Sequence, residues 1–320
     1  MAPPARPDPA PPGSRRAVLA GLGALAGAGL LGLLSPGRGA DPAPPDPLAP
    51  AEGLAARTDG FARLAAERPW VERLGRCCGL VITRRPGVEG RGSCVLLDRF
   101  GTLALTAHQV EDWLVEAGPG RVAVEGEVRF APTPGPLVVS GRLEQVRVAG
   151  ALDLAFATLD LAPLAGAGLA PVAWGSLPAG LAGVELVAAG WPHGHERLHA
   201  AAGRAQLFRD YDQETYTSLG HAGADGRFLC KVMARIDAHP GMSGGGVFLD
   251  GAFVGIDNAN GPADDIPDLR FTPVWAVWDA YRKLYPDRAA TVAFAGPLRP
   301  DQTAMPLSCR GEPEIFFPAP

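Results

Sequence analysis

The sequence predicts an all-β fold, and two observations carry that expectation. From Cys77 onward the chain breaks into short apolar runs, at 77–83, 92–98, 102–106, 121–129, 137–148, 153–159, 184–189, 202–208, 227–236, 246–250 and 252–257. Gly and Pro stand at their boundaries, and many short strands between turn residues mean a sandwich or barrel rather than alternating β and α units. Composition agrees: 47% hydrophobic and 20% charged residues suit a globular chain long enough for one large core or two small ones. A net charge of −5 suggests no nucleic-acid partner.

Taken in order, residues 1–13 are Pro-rich and form no regular element. The pair Arg15-Arg16 then opens a Gly- and Ala-rich apolar run, residues 17–34, that reads as a targeting segment. Its pattern is similar to a twin-arginine export signal, with cleavage expected near Ala40; its eighteen residues also sit at the short edge for a membrane anchor. Residues 1–40 are therefore read as an export signal or tether, and 41–75 as a Pro-rich linker with a pre-domain helix, since Leu54, Phe61, Leu64 and Ala65 recur at helical spacing before Pro69. A second helix is expected from Pro273 to Tyr285, with proline in its first turn and an apolar stripe. Residues 287–320 read as a Pro-rich tail. The expected location is periplasmic or extracellular.

Chemistry concentrates in one stretch, Asp237 to Gly246, where Ser243 is set among glycines. Without Cβ atoms the chain can turn sharply there, expose the hydroxyl and aim the Gly241 and Ser243 amides at one point, as an oxyanion hole requires. The Gly-x-Ser-x-Gly spacing also fits an α/β-hydrolase elbow, but that fold needs its histidine after the serine, and all six histidines precede Ser243. Two upstream segments complete a different order, Thr106-Ala107-His108 and Asp153-Leu154-Ala155.

These motifs resemble the trypsin-like, chymotrypsin-fold serine peptidases, more their bacterial branch than the digestive enzymes. Gly92-Ser93-Cys94-Val95-Leu96 leads through Gly101 to Thr106-Ala107-His108, Asp153-Leu154-Ala155 forms the aspartate strand, and Gly241–Gly245 the serine motif; Gly190-Trp191-Pro192 adds support. The resemblance implies two six-stranded β-barrels with a C-terminal helix, spanning residues 76–286. It further implies endopeptidase activity on a protein or peptide substrate through a catalytic triad of His108, Asp153 and Ser243, an oxyanion hole of the Gly241 and Ser243 amides, and neither metal nor organic cofactor.

The resemblance is not uniform. Only Ala107 separates Thr106 from His108, one residue fewer than is usual, and Met242 replaces the acid that captures a freed N-terminus in zymogens. Counting along the motifs puts Asp237 at the floor of a substrate pocket, where it would select basic side chains, and Asn258 and Asn260 on the strand that would pair with substrate. A surface-loop role for Asp237 stands equally open. Gln109 and His239 occupy cysteine positions of the digestive enzymes; with five cysteines, at least one thiol is unpaired and no pairing is assigned. Two alternatives remain. One is a scaffold that keeps the fold without turnover. The other, more distant, is a zinc peptidase using His195-Glu196-Arg197-Leu198-His199, which requires a helix at that point.

Overall fold

The computed structural model describes residues 59–119, 121–131, 137–149, 152–160, 166–178, 180–195, 197–212, 227–260 and 268–292. The export signal or tether, most of the Pro-rich linker and the C-terminal tail beyond residue 292 lie outside the described residues. Among the described residues, no helix is long and apolar enough to cross a membrane.

Seven strands build the first half: β1 Cys78–Arg85, β2 Val88–Leu96, β3 Thr102–Leu105, β4 Leu114–Gly118, β5 Arg121–Phe130, β6 Leu137–Ala149 and β7 Leu154–Thr158. They run in the order β1-β2-β3-β7-β6-β5-β4, and an antiparallel β1–β5 pairing closes the first six into a barrel with β4 as an outer strand. The turn between β1 and β2 is Pro86-Gly87; proline pre-sets the first central φ and Gly87 supplies φ 79°, so the two-residue connection closes without strain. The second barrel is β8 Glu185–Gly190, β9 His199–Asp212, β10 Arg227–Arg235, β11 Gly246–Leu249, β12 Ala252–Asn260 and β13 Asp268–Pro273, closed in the order β10-β13-β12-β11-β8-β9. Its β11–β12 hairpin turns on Asp250-Gly251, both at positive φ (49° and 84°), the backbone that two-residue hairpins prefer. The fold is thus all-β, two six-stranded barrels followed by a helix.

Two strands escaped the sequence reading. β4 is a short segment with a charged centre, and β13 carries Arg270 and ends at Pro273, so neither shows an apolar run. Both exist because of partners far along the chain: β13 closes the second barrel by pairing with both β10 and β12. Conversely, β9 extends well beyond the predicted 202–208 because β8 and β10 pair along it.

Helices hold the barrels from outside. Helix α1, Asp59–Glu67, lies against β9 and buries Leu64 and Ala65, and its following residue Arg68 pairs with Glu185. The C-terminal helix α2, Val274–Leu284, has Pro273 as its N-cap and contacts β12 and β13. It also reaches the first barrel, where Tyr281 donates to Asp98 Oδ2 at 2.6 Å. Asp98 in turn accepts from Thr102 and the Phe100 amide in the β2–β3 connection. Cys77, Cys78 and Cys94 are buried free thiols; a hydrogen bond with its thiol neighbour Cys77, and then burial, push the Cys78 pKa well up, so it packs as a neutral apolar group.

Candidate active site

His108 sits in a 3-10 turn, Ala107–Gln109, that directly follows β3. The turn is closed reciprocally: the Thr106 side chain accepts from the Gln109 amide while Gln109 Oε1 accepts from the Thr106 amide. This capping accommodates the short Thr-Ala-His spacing that set the sequence apart. Asp153 stands just before β7 with φ 46°, a left-handed conformation that aspartate tolerates better than most residues. β3 and β7 are paired neighbours, so the ends of these two strands deliver His108 and Asp153 to one place.

There the Asp153 carboxylate, 2% exposed, lies 2.9 and 3.0 Å from His108 Nδ1 and also accepts the His108 amide at 3.1 Å. Two bonds to one residue leave the imidazole little rotational freedom. Its Nε2 faces Thr106 Oγ1 at 3.4 Å and its ring remains partly exposed.

Ser243 comes from the second barrel, on the tight connection before β11. Gly241 and Gly244 adopt φ 93° and 84°, and neither tolerates a side chain: a Cβ on Gly241 would meet His193 Cδ2 at 2.2 Å, and one on Gly244 would meet Ser93 O at 2.1 Å. The loop is tied internally by Met242 N to His239 O (3.0 Å) and Gly245 N to Met242 O (2.8 Å), and to β12 by Gly244 N to Asp257 O (2.7 Å). Among the described residues, neither the Gly241 nor the Ser243 amide donates to a backbone carbonyl. Ser243 Oγ donates to Asn258 O at 3.4 Å.

Contacts between the barrels register Ser243 against His108. Ser93 in β2 donates its amide to Ser243 O (2.8 Å) and its hydroxyl to Gly241 O (2.9 Å), and accepts the Trp191 amide (2.8 Å). Gln109 Nε2 donates to the same Ser243 carbonyl. A cleft of about 380 Å³ opens beside them, with His108, Gln109, His193, Gly241 and Ser243 in its lining and the β1–β2 hairpin as its far wall.

The remaining predicted positions lie elsewhere. Asp237 is absent from that lining; its carboxylate is 3.5 Å from His239 Nε2. The Asn258 side chain is fully buried and turned toward Asp153, donating to Asp153 O at 2.8 Å and Oδ2 at 3.4 Å, so only its backbone faces Ser243. The β11–β12 ladder ends at Ile256 whereas β12–β13 continues to Asn260, which leaves one backbone edge of 258–260 without a β11 partner. The Asn260 side chain lies outside the described residues. The helix needed by the zinc reading is not formed among the described residues: His195 follows the His193-Gly194 turn that its amide closes onto Pro192 O, His199 opens β9, and Glu196 lies outside the described residues. Proline and glycine on one side and pairing with β8 on the other impose this extended course.

His199 packs edge-on against His239 with ring centroids 5.1 Å apart. Burial, reinforced by the neighbouring His239 charge, lowers the His199 pKa to about 4, against the opposing pull of Asp237. Sequence reasoning missed Ser93 and Gln109 as ties to the nucleophile loop, and it missed Lys231 and Thr272 behind Asp153. Only Lys231 left a trace, as one of two lysines in an arginine-rich chain.

No curated protein matches the sequence. Among solved structures, the chain is similar to the Rv3671c protease from M. tuberculosis in its active form, at 14% identity and TM-score 0.45 over 81% of this chain and 96% of that one. It is similar to the HtrA-type protease AlgW with decapeptide (15%, TM-score 0.47, 71% and 68%) and to the MamO protease domain from Magnetospirillum magneticum in its apo form (17%, TM-score 0.45, 64% and 95%). A family model described as trypsin-like peptidase domain matches residues 92–256, just over half the chain and the whole span from Gly92 through Ser243. On that match, together with the double barrel, the chain belongs to the trypsin-like peptidase family.

Proposed function

We propose that the protein is a serine endopeptidase in which Ser243 is the nucleophile, His108 the general base and Asp153 the group that fixes the imidazole. The observation that carries this reading is the pairing of His108 Nδ1 with the buried Asp153 carboxylate on the rim of a cleft that Ser243 also lines. The carboxylate holds the Nδ1–H tautomer, leaving Nε2 able to take the Ser243 proton as Oγ attacks a peptide carbonyl carbon. Charge developing on the carbonyl oxygen would be received by the Gly241 and Ser243 amides. The imidazolium then returns the proton to the leaving amine, and water releases the acyl group by the same route. The backbone edge of residues 258–260 is suited to pair with an extended substrate.

One observation favours the alternative of a fold kept without turnover. Ser243 Oγ donates to Asn258 O, and turnover requires it to leave that carbonyl for His108 Nε2. Treatment of residues 41–320 with a fluorophosphonate, followed by intact-mass analysis, separates the two. One adduct on Ser243, lost in Ser243→Ala and His108→Ala, is the expected result; no adduct on folded protein establishes the scaffold reading.

The proposed layout is an export signal or tether at 1–40, a linker with the pre-domain helix at 41–75, the peptidase domain at 76–286 and a tail at 287–320. It is supported by the Arg15-Arg16 pair before an apolar run and implies a periplasmic or extracellular enzyme. Substituting both arginines by lysine and fractionating cells tests this: unchanged export refutes the twin-arginine route.

A further inference from the structure

Lys231, in β10, is fully buried, and it is one of only two lysines in the chain. An ammonium enclosed in a barrel is unfavourable unless each proton finds an acceptor. Here three are present: Leu152 O at 2.5 Å, Thr272 Oγ1 at 2.6 Å and Asn258 Oδ1 at 3.0 Å. All three lead to the site. Leu152 is the residue before Asp153, and Asn258 lies between Lys231 and the Asp153 carboxylate.

The chemistry of the donor dictates the next step. An ammonium only donates, so Asn258 must turn its Oδ1 toward Lys231. Thr272 reinforces that choice, its hydroxyl lying 2.6 Å from the same oxygen. The amide NH₂ is thereby forced to the other side, where it donates to Asp153 O and reaches Oδ2. A neutral apolar residue at 231 would remove the charged donor on Asn258 Oδ1 and leave Thr272 alone to hold the amide in this orientation.

We propose that Lys231 is a positioning residue of the His108–Asp153–Ser243 apparatus: its buried ammonium sets the orientation of the Asn258 amide, and through it the hold of Asp153 on His108. This inference rests on the peptidase reading above. The ammonium and the oriented NH₂ both stabilise the carboxylate, so removing them makes Asp153 more basic and raises the proton affinity of the imidazole it binds. Burial lowers the Lys231 pKa to about 7 while the Asp153 charge raises it, so the ammonium depends on these partners. Charged groups bearing on Asp153 include His108, Lys231 and Glu111, the last with its own pKa raised by burial and then by the Asp153 charge.

The test uses Lys231→Met, with Ser243→Ala and His108→Ala as controls. Expected is fluorophosphonate labelling of Ser243 about tenfold slower at saturating probe with unchanged apparent affinity, and an acid limb moved up by about half a pH unit. A wild-type rate and an unmoved limb overturn the proposal. The His108 imidazole titration, followed by NMR and assigned with His108→Ala, must rise in Lys231→Met also in the Ser243→Ala background. That readout needs no turnover: if wild type never labels but the titration moves, the peptidase reading fails and the hold of Lys231 on His108 stands. Should Lys231→Met not fold, ¹⁵N-lysine labelling of the wild type resolves Lys231 from Lys283. A slowly exchanging ammonium across the pH range in which Ser243 labels is expected; a neutral amine there overturns the proposal.

Discussion

Ser93→Ala removes one oxygen atom, and the structure allows its cost to be worked out. The Ser93 hydroxyl is fully buried, donates to Gly241 O at 2.9 Å and accepts the Trp191 amide at 2.8 Å. Its loss orphans a backbone carbonyl and a backbone N–H in the seam between the barrels. Each buried unpaired group costs about 1–3 kcal/mol, and the space left by a single oxygen is too small for a water molecule to replace it. The expected destabilisation is therefore about 2–6 kcal/mol, a large share of the roughly 5–15 kcal/mol that holds a domain folded. It would lower Tm by about 4–24 °C in a domain of this size. Gly241 belongs to the loop carrying Ser243, so labelling by fluorophosphonate should slow as well. Urea unfolding measures the first effect and amide exchange at Trp191 localises it. A loss below about 0.5 kcal/mol, with Trp191 exchange unchanged, would refute the view that this hydroxyl joins the barrels.

Three further outcomes are expected. Gly244→Ala places a methyl 2.1 Å from Ser93 O at φ 84°, and because backbone cannot yield there, labelling of Ser243 should be lost; a fully labelled, wild-type-stable variant would contradict the loop geometry. Acidification should cost stability through His199: above pH ~6.5 it is neutral in both states, whereas between about 6.5 and 4 only the unfolded chain takes up the proton. At about 1.4 kcal/mol per pH unit this removes about 2–3 kcal/mol by pH 4.5, an increment that His199→Gln should lack; parallel losses in both proteins would exclude His199 as the source. Tyr281→Phe deletes the 2.6 Å bond to Asp98, and urea unfolding should register a loss of about 1.5–3 kcal/mol; no change would mean that helix α2 is held to the first barrel by packing alone.

Much of the fold was legible because strands that bury one face announce themselves in a few residues. The runs at 77–83, 121–129 and 137–148 carry apolar side chains, and strands form over Cys78–Arg85, Arg121–Phe130 and Leu137–Ala149 in the structure. β13 was not legible, since it carries Arg270 and becomes a strand through its partners on both sides. In the candidate site, the glycines at 241 and 244 spoke directly of positive φ, which only close approach to His193 and Ser93 makes obligatory. Asn258 marks the limit of counting: motif spacing placed it toward substrate, but its side chain turns inward, donating to Asp153 O and accepting from Lys231, 27 residues away.

The sequence by itself determined the family, the order His108, Asp153, Ser243, and most strands, because these rest on local patterns of apolarity, glycine and a few fixed motif residues. Only the tertiary structure decided what surrounds them. Ser93 and Gln109 grip the Ser243 carbonyl, and Lys231 stands behind Asp153, through contacts that bridge 27 to 150 residues of chain. A hydrogen bond depends on direction and distance in space, and spacing along the sequence carries neither once two barrels have closed.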